Sequence, residues 1–512
     1  CYSHSLQPMN FAFGPYTVDT ERLELARDNA TIPLQPQVFS LLVFLIENSE
    51  RVVSKQEIVD NVWEGRIVGD GTLNSRINAL RRALGDDGAT QSMIKTFPRQ
   101  GFRFVGEPST GPVAPEETAD ISRSAASIAI LPFVNIGADQ EQLYFADGLT
   151  EDLITDLSKN RDLFVIARNS SFAYRNSPKN VTEIGSELCV AHVLEGSVRK
   201  AGDRIRINAQ LIDTQTGGHV WAERYDSGVQ DIFALQDEIT AKIIAALQVR
   251  LTKSPRIDRS TQSVEAYELS LKGRAKFFMF SPETNRECID LFDQALLIDP
   301  EFSDAWAGQV FPYQSGWSFA WAGYDDGLEV AAEKARRAVE LAPNSSLAQS
   351  RLGWVQVFLR QPEASIESFE RAIAIDPNNA DAHVWFSEAL NYAGHAERAI
   401  RAGETALRFD PVAPPNALHH IAHGYFLSGD LKMAEEFERR AIRMAPTFPP
   451  ARLVMSAILA ENGRLVEAKE QISDLLAIDS DYTFQRYDER YPYHDPEHRA
   501  RMARAVKAAG LL

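Results

Sequence analysis

The chain has 512 residues, 44% of them hydrophobic and 24% charged, which is ordinary for globular proteins but too long for a single hydrophobic core. Its formal net charge of −18 excludes a surface that is basic throughout, so any contact with nucleic acid or anionic lipid must be local. The three cysteines lack metal-ligand spacing and favour a reducing, cytoplasmic setting, and no apolar run is long enough to cross a membrane.

A short basic helix is predicted over residues 72–84, "TLNSRINALRRAL". Its apolar residues recur at steps of three and four, so one stripe of the helix must be buried. The stripe consists of Leu73, Ile77, Leu80 and Leu84. Rotation by 100° per residue places Ser75, Asn78, Ala79 and Arg82 opposite the stripe, with Asn74, Arg76 and Arg81 on its flanks. We expect an outward face of amide, small and guanidinium side chains.

Two strands joined at residues 98–101 follow this helix in "MIKTFPRQGFRFV", which predicts a hairpin with a basic tip. Between residues 72 and 106 six basic residues face only Asp86 and Asp87. Asparagine can pair with adenine edges and arginine can hold phosphate or read guanine, so the helix suits the major groove of DNA. The alternative is that Arg81 and Arg82 merely keep an exposed face solvated.

Residues 9–106 resemble the winged helix-turn-helix DNA-binding domain of OmpR/PhoB-type response regulators, chiefly through "LRRALGDD" and "PRQGFRF". The resemblance implies an N-terminal β-meander, helices at 37–48 and 55–63, a recognition helix at 72–84 and a wing at 98–101. It also implies that the loop at residues 64–70 contacts RNA polymerase. The residues expected to contact DNA are Asn74, Ser75, Arg76, Asn78, Arg81, Arg82, Arg99, Gln100 and Arg103.

Two features depart from that family. OmpR/PhoB-type members place a receiver domain before the winged helix, whereas here the winged helix comes first, as in CadC/ToxR and HilA-like regulators, but without the membrane helix of CadC and ToxR. The family often carries arginines where Asn78 and Ala79 stand here. The target DNA sequence therefore cannot be transferred.

Residues 107–126 are rich in Pro, Ser, Thr and acidic residues and predict a flexible linker. Residues 127–252 alternate strand and helix patterns and resemble a TolB-N-terminal or FlgO-like α/β domain, which carries no clear chemistry. Asp147, Glu151 and Asp152 could form a catalytic carboxylate pair, and Arg168 and Arg175 could bind an anion. Structural roles are favoured for both groups.

Residues 262–512 repeat with a period of 34 or 35 residues, marked by the second-helix prolines Pro343, Pro377, Pro411 and Pro446. Leu352, Gly353, Phe369, Ala372 and Pro377 match a tetratricopeptide repeat, and small residues at fixed spacing predict about six closely packed helix pairs. Such a solenoid offers a groove for a protein or peptide partner. His419, His420 and His423 resemble a metal cluster, but core and surface positions on a repeat helix are favoured.

The sequence thus predicts a multidomain α+β protein: a winged helix, a central α/β domain and a C-terminal α-solenoid. The expected function is a cytoplasmic bacterial transcriptional regulator, not an enzyme, that needs no cofactor or metal. Its expected partners are double-stranded promoter DNA, RNA polymerase, a protein in the repeat groove and a second copy of the chain. The alternatives are a scaffold whose winged helix binds protein and an enzyme related to nucleotide cyclases.

Overall fold

The computed structural model divides the chain into two compact units, residues 1–120 and 121–512, which are treated separately. The residues that the structure describes are 11–13, 16–19, 24–27, 30–32, 34, 36–49, 51–62, 70–86, 91, 93–97, 100–106, 109–110, 126–137, 142–247, 260–277, 279, 281–491 and 493–511.

The first unit is a winged helix. Four short antiparallel strands come first, followed by three helices and a hairpin. The elements are β1 (Phe11–Phe13), β2 (Tyr16–Asp19), β3 (Glu24–Arg27), β4 (Ala30–Ile32), α1 (Pro36–Glu47), α2 (Lys55–Val62), α3 (Asp70–Ala83), β5 (Ile94–Phe97), β6 (Gly101–Phe104) and β7 (Ser109–Thr110). The strand order is β4-β3-β2-β1-β7, while β5 and β6 form a separate antiparallel pair. The predicted meander, three helices and wing are confirmed.

The hairpin is fixed to the body of this unit at Gly101. Phe102 exchanges backbone hydrogen bonds with Val53, just before α2. Gly101 has φ +144°, and a Cβ at this position would lie 1.9 Å from the carbonyl oxygen of Val53. Only glycine permits so close a backbone approach, so this residue determines where the wing begins its return strand.

The second unit begins with a mixed sheet flanked by helices. Its elements are β8 (Ser127–Ile130), β9 (Val134–Asn135), α4 (Leu143–Ser158), β10 (Phe164–Val165), α5 (Arg168–Phe172), α6 (Val181–Glu187), β11 (His192–Ala201), β12 (Arg204–Asp213), β13 (His219–Gly228), a 3-10 turn (Val229–Asp231) and α7 (Ile232–Ala246). The order is β10-β8-β11-β12-β13, with β11, β12 and β13 antiparallel. Gly202 has φ +57° in the tight turn that joins β11 to β12.

Six helix pairs follow, as the repeat predicted. They are α8 (Val264–Phe277) with α9 (Pro282–Ile298), α10 (Ser303–Ser318) with α11 (Gly327–Leu341), α12 (Ser346–Phe358) with α13 (Pro362–Ile375), α14 (Ala380–Ala393) with α15 (Ala396–Phe409), α16 (Pro415–Ser428) with α17 (Leu431–Met444), and α18 (Pro449–Glu461) with α19 (Leu465–Ile478). The repeated alanines are buried between helices, among them Ala338, Ala372 and Ala406. Their small size lets each pair approach closely.

The first helices of successive pairs also pack against one another, as α10, α12, α14 and α16 do. They therefore line the inner face of the stack. Two terminal helices, α20 (Phe484–Arg490) and α21 (Pro496–Ala508), complete the chain. Two residues between them contact the first helices α14 and α16: the amide of His494 donates to the carbonyl of Tyr392, and Tyr493 OH lies 2.7 Å from His423 Nε2.

The sheet and the solenoid are joined by buried polar contacts at the repeat turns. Asp410 accepts hydrogen bonds from the amide of Ser170 at 2.8 Å and from Nδ2 of Asn169 at 2.9 Å. Asp376, one repeat earlier, accepts a hydrogen bond from the hydroxyl of Ser158 at 2.7 Å. Both aspartates precede a repeat proline, so the same turn that ends a second helix also holds the central domain.

Candidate nucleic-acid interface

Among its described side chains, helix α3 presents two polar ones to solvent on the side opposite its buried stripe. Leu73, Ile77, Leu80 and Leu84 are at most 2% exposed, which confirms that this stripe faces the core. Asn78 and Arg82 are exposed and lie one turn apart. Arg82 Nε donates a long hydrogen bond of 3.4 Å to the carbonyl of Asn78 within the helix. The Arg82 guanidinium therefore stays at the helix surface, close to the backbone of Asn78.

The other predicted residues of α3 are less fully placed. Arg76 is half-buried. Ala79 is also half-buried and packs against the core, so the outward face is narrower than rotation by 100° per residue predicts. Asn74 and Ser75 belong to the helix, but their side chains lie outside the described residues.

Arg81, which rotation places on a flank of the stripe and which is predicted to contact DNA, turns inward in the structure instead of facing solvent. Its side chain is 6% exposed, and one of its terminal nitrogens donates to the carbonyl of Ile94 at 2.7 Å and to Oγ1 of Thr96 at 2.8 Å. The residue lies on the flank of the helix that the hairpin covers. Rotation along the helix places Arg81 on a flank but says nothing about what packs there, so the sequence could not show that the hairpin buries it.

Asp86 connects the end of α3 to the wing. It is 4% exposed, and its carboxylate accepts hydrogen bonds from the amides of Met93 at 3.1 Å and Ile94 at 3.0 Å. In the sequence, Asp86 counts only as a charge opposing the arginines. In the structure it holds the start of β5 beside the helix, which is a structural role.

The wing carries the remaining candidates. Gln100 is exposed in the turn, while Arg99 lies outside the described residues. Arg103 is half-buried and donates from Nε to the carbonyl of Ser49 at 2.9 Å, so it is engaged in holding β6 against the end of α1. Lys95 on β5 is exposed, although it was not among the predicted contacts. Among the described residues of α3 and the wing, the exposed cations are thus Arg82 and Lys95.

Helix α2 begins with a reciprocal cap. The hydroxyl of Ser54 accepts from the amide of Glu57, and Glu57 accepts from the amide of Ser54 at 2.9 Å. Hydrogen bonds from the backbone and the side chain of Ser54 to the Glu57 carboxylate, together with one from Arg51, lower the pKa of Glu57 to about 2. The cap fixes the start of the supporting helix directly after the Val53–Phe102 bridge.

In the second unit, the two charged clusters that resembled an active site pair with each other. Arg175 lies 2.5 Å from Asp147, and Arg168 lies 2.5 Å from Glu151. Asp152 accepts hydrogen bonds from Arg274 and Tyr267 of α8. The carboxylates and guanidinium groups therefore neutralise one another between α4, α5 and α8, as the favoured structural roles require.

The three histidines of α16 lie in the interior of the solenoid. His419, His420 and His423 are at most 4% exposed, and Nδ1 of His419 lies 2.8 Å from Oε1 of Glu438. Burial lowers the pKa of His420 and His423 well below its usual range and raises the pKa of Glu438. Across the described ranges, no group of three or more His, Cys, Asp or Glu side chains is arranged to hold a metal ion.

Comparison with known proteins assigns a family to each part. Residues 29–104 match "Transcriptional regulatory protein, C terminal", residues 124–242 match "HilA/YgeH-like transcriptional regulator, second domain", and residues 348–379 match "Tetratricopeptide repeat". The first two matches are to families of transcriptional regulators, and the third is to a family of repeat proteins. In the described part of the chain, no helix has both the length and the hydropathy needed to cross a bilayer.

Three relatives illustrate the similarity. The chain is 23% identical over 428 residues to transcriptional regulator HilA of Salmonella typhi, which covers 82% of this chain and 74% of HilA. It is 31% identical over 93 residues to transcriptional activator CadC of Escherichia coli (strain K12), 18% of each chain. Over 184 residues it is 52% identical to putative adenylate cyclase 3 of Rhizobium meliloti (strain 1021), which is 35% of this chain and 31% of that protein.

These matches and the fold agree on the domain composition. The chain carries an OmpR/PhoB-type winged helix, a HilA-like second domain and tetratricopeptide repeats, in the order found by sequence. The chain is similar to HilA over most of its length and to CadC over the winged helix, so the predicted resemblance is confirmed. The chain spans less than a third of the cyclase-named relative.

Proposed function

We propose that this protein is a bacterial transcriptional regulator that binds promoter DNA with the outer face of α3 and with its wing. The observation that carries the proposal is the exposure of Asn78 and Arg82 on a helix whose opposite stripe is the core of the unit. A helix held in this way can enter the major groove of duplex DNA without losing its packing.

Each exposed side chain has a role that follows from its chemistry. Asn78 reads a base edge, with adenine preferred because an amide can donate and accept there at once. Arg82 and Lys95 neutralise phosphates, and Gln100 contacts the backbone or the minor groove from the wing. Asn74, Ser75, Arg76 and Arg99 remain proposed contacts. Arg81 and Arg103 act indirectly, because they hold the wing and the body of the domain in place.

The second unit serves as a sensory and protein-interaction module. The solenoid supplies an inner face for a protein partner, and the central domain is held against it through Asp376 and Asp410. RNA polymerase, through the loop at residues 64–70, and a second copy of the chain are further proposed partners. That loop lies mostly outside the described residues.

We infer that the chain works in the cytoplasm by binding rather than by catalysis. The carboxylates that most resembled a catalytic pair, Asp147 and Glu151, are held by arginines. The cyclase name belongs to a relative most of whose length this chain does not span. The second candidate function, a scaffold whose winged helix binds protein, does not explain why an amide and a guanidinium group are exposed side by side on α3.

Binding of the full-length chain to double-stranded genomic fragments tests the proposal directly. We expect the wild type to shift a subset of fragments. The control Arg371→Ala should do the same, because Arg371 is an exposed arginine on α13, outside the winged helix, and is paired with Glu367. We expect Arg82→Ala to bind all fragments more weakly. Equal affinity of all three proteins, or no attraction to any duplex at low salt, would reject DNA binding through this face.

A further inference from the structure

The inner face of the solenoid carries a row of aromatic rings. Phe277, Phe311, Trp354 and Trp385 come from four successive first helices, with neighbouring ring centroids 4.3 to 5.3 Å apart. Trp354 is buried and donates its indole N–H to Glu388 at 2.9 Å. Phe277, Phe311 and Trp385 are half-buried, so these three rings are partly accessible to solvent.

Arg351 packs against the Phe311 ring of this row. Its guanidinium carbon is 3.7 Å from the centroid of the Phe311 ring, a close cation–π contact. No carboxylate of the described residues lies within 4 Å of it, and its Nε is buried without a hydrogen-bond partner among those residues. Burial lowers the pKa of Arg351 to about 10, and Asp381 opposes this only through a longer-range charge interaction. The cation is thus partly desolvated without a close counter-ion.

A partly desolvated guanidinium without a close counter-ion can still bind an anionic group. Removing a charge from water costs free energy, which a close opposite charge can offset. For an arginine, the best partner is a planar carboxylate that accepts hydrogen bonds from two of its N–H groups. Phe311 holds the guanidinium on one face, and the half-buried Trp385 beside it offers contact to a ring or an aliphatic chain next to that carboxylate. The three side chains together select for an acidic group attached to an apolar one.

The C-terminal part of the chain shows that the inner face of the solenoid can bind aromatic side chains. One turn along the same helices, the terminal segment that follows α20 is not helical, and it places Tyr491 against Phe358 and Tyr493 against His423. In this segment, "YPYHD", the tyrosines make the ring contacts with the first helices, whereas Asp495 caps α21. These tyrosines contact the first helices at Phe358 and His423, while Arg351 and Trp385 remain half-buried.

We propose that Phe311, Arg351 and Trp385 form the anchor site for an extended segment of a partner protein in which an Asp or Glu carboxylate adjoins an aromatic side chain. The carboxylate binds the Arg351 guanidinium, and the adjoining ring lies on Trp385. This inference rests on the proposed protein-interaction role of the second unit, and it specifies which part of the solenoid binds and what it recognises.

A random peptide library displayed on phage, selected on immobilised full-length protein, tests this chemistry without knowledge of the natural partner. The test variant is Arg351→Met, which keeps the length and packing of the side chain but removes the charge. The matched control is Arg398→Met, which also removes an arginine over an aromatic ring, that of Phe386, but one already paired with Glu370. Trp385→Ala supplies a second test of the site.

We expect enrichment of peptides in which an acidic residue adjoins an aromatic one. A synthetic copy should lose at least about tenfold in affinity when its acid is changed to the amide, and equally on Arg351→Met. Trp385→Ala should also weaken it, and Arg398→Met should not. Enriched peptides without acidic residues, a library without binders, or full binding by Arg351→Met would each overturn the proposal.

Two further measurements separate the possible causes of failure. The melting temperature of Arg351→Met should match that of the wild type, because no ion pair is lost, and a large fall would show a structural arginine instead. Binding of Arg351→Met to duplex DNA should be unchanged. If the wild type binds the peptides but no duplex, the proposed regulator function fails while the anchor site stands.

Discussion

Arg81 at the end of α3 donates a hydrogen bond of 2.8 Å to Oγ1 of Thr96 on the first strand of the wing. Its sequence neighbour Arg82 is exposed on the outer face of the same helix. Two adjacent arginines therefore have different tasks: one joins the helix to the hairpin, and the other is available to a ligand.

Arg81→Ala should destabilise the winged helix by about 1 to 3 kcal/mol, because the Ile94 carbonyl loses its buried donor. Arg82→Ala should change its stability by less than about 0.5 kcal/mol, since the side chain is exposed. Thermal unfolding of the two variants measures this difference. Equal melting temperatures would contradict the assignment of Arg81 as a positioning residue.

Arg82→Ala should also reduce the salt dependence of DNA binding. If Arg82 neutralises one phosphate, the log–log slope of affinity against salt should fall by about one unit, with similar losses on all duplexes. Fluorescence titration at several salt concentrations gives the slope. An unchanged slope would place Arg82 away from the backbone, and the control Arg371→Ala should leave it unaltered.

Asn78→Ala should change which duplexes are preferred rather than weaken all of them. Loss of a paired amide at one base costs about 1 to 3 kcal/mol of discrimination at that position only. Competition among duplexes that differ at single base pairs measures the effect. A uniform loss of affinity across all duplexes would mean that Asn78 contacts only the backbone.

Sequence periodicity located the buried stripe of α3 and the helix pairs of the solenoid because these patterns are local. Stripe positions such as Ile77 and Leu80 need only a count along the helix, and both are buried as that count predicts. The inward turn of Arg81 depends on the wing, whose contact residue Thr96 lies fifteen positions away. Such contacts leave no period in the sequence.

The charged clusters of the second unit show the same limit over longer separations. Asp147 and Arg175 belong to two different candidate sites in the sequence, although each is the partner of the other in the structure. The aspartate before a repeat proline looks like a helix end, yet Asp410 also binds Ser170, 240 residues earlier in the chain. Repeat spacing identifies the turn but not what packs against it.

The contact between Asp410 and Ser170 should couple the central domain to the solenoid. Asp410→Ala leaves a buried backbone amide without an acceptor, so the second unit should lose about 1 to 3 kcal/mol of stability. Ser170→Ala removes the Ser170 hydroxyl, which also donates to Asp410, so a double-mutant cycle should show that the two effects are not additive. Additive losses would mean that the two residues act independently.

The stability of the second unit should depend on pH through Glu388. Burial raises the pKa of this carboxyl to about 7, although Trp354 donates a hydrogen bond to it. The unfolded pKa is about 4.3, so between these values the folded state binds more protons than the unfolded state. The contribution of Glu388 to stability is therefore present at low pH and is lost as the pH rises toward and through 7.

Glu388→Gln cannot ionise but still offers an oxygen to the Trp354 indole. We expect the variant to exceed the wild type by about 2 to 3 kcal/mol in free energy of unfolding at about pH 8, and by little at about pH 5. Burial also lowers the pKa of His420 and His423, but both remain in the variant, so their titration cancels in the difference. Urea unfolding at the two pH values measures it. The control Glu404→Gln, which alters an exposed carboxylate bound by Tyr425, should show no such pH dependence, and an equal difference at both pH values for Glu388→Gln would show that its carboxyl is ionised throughout.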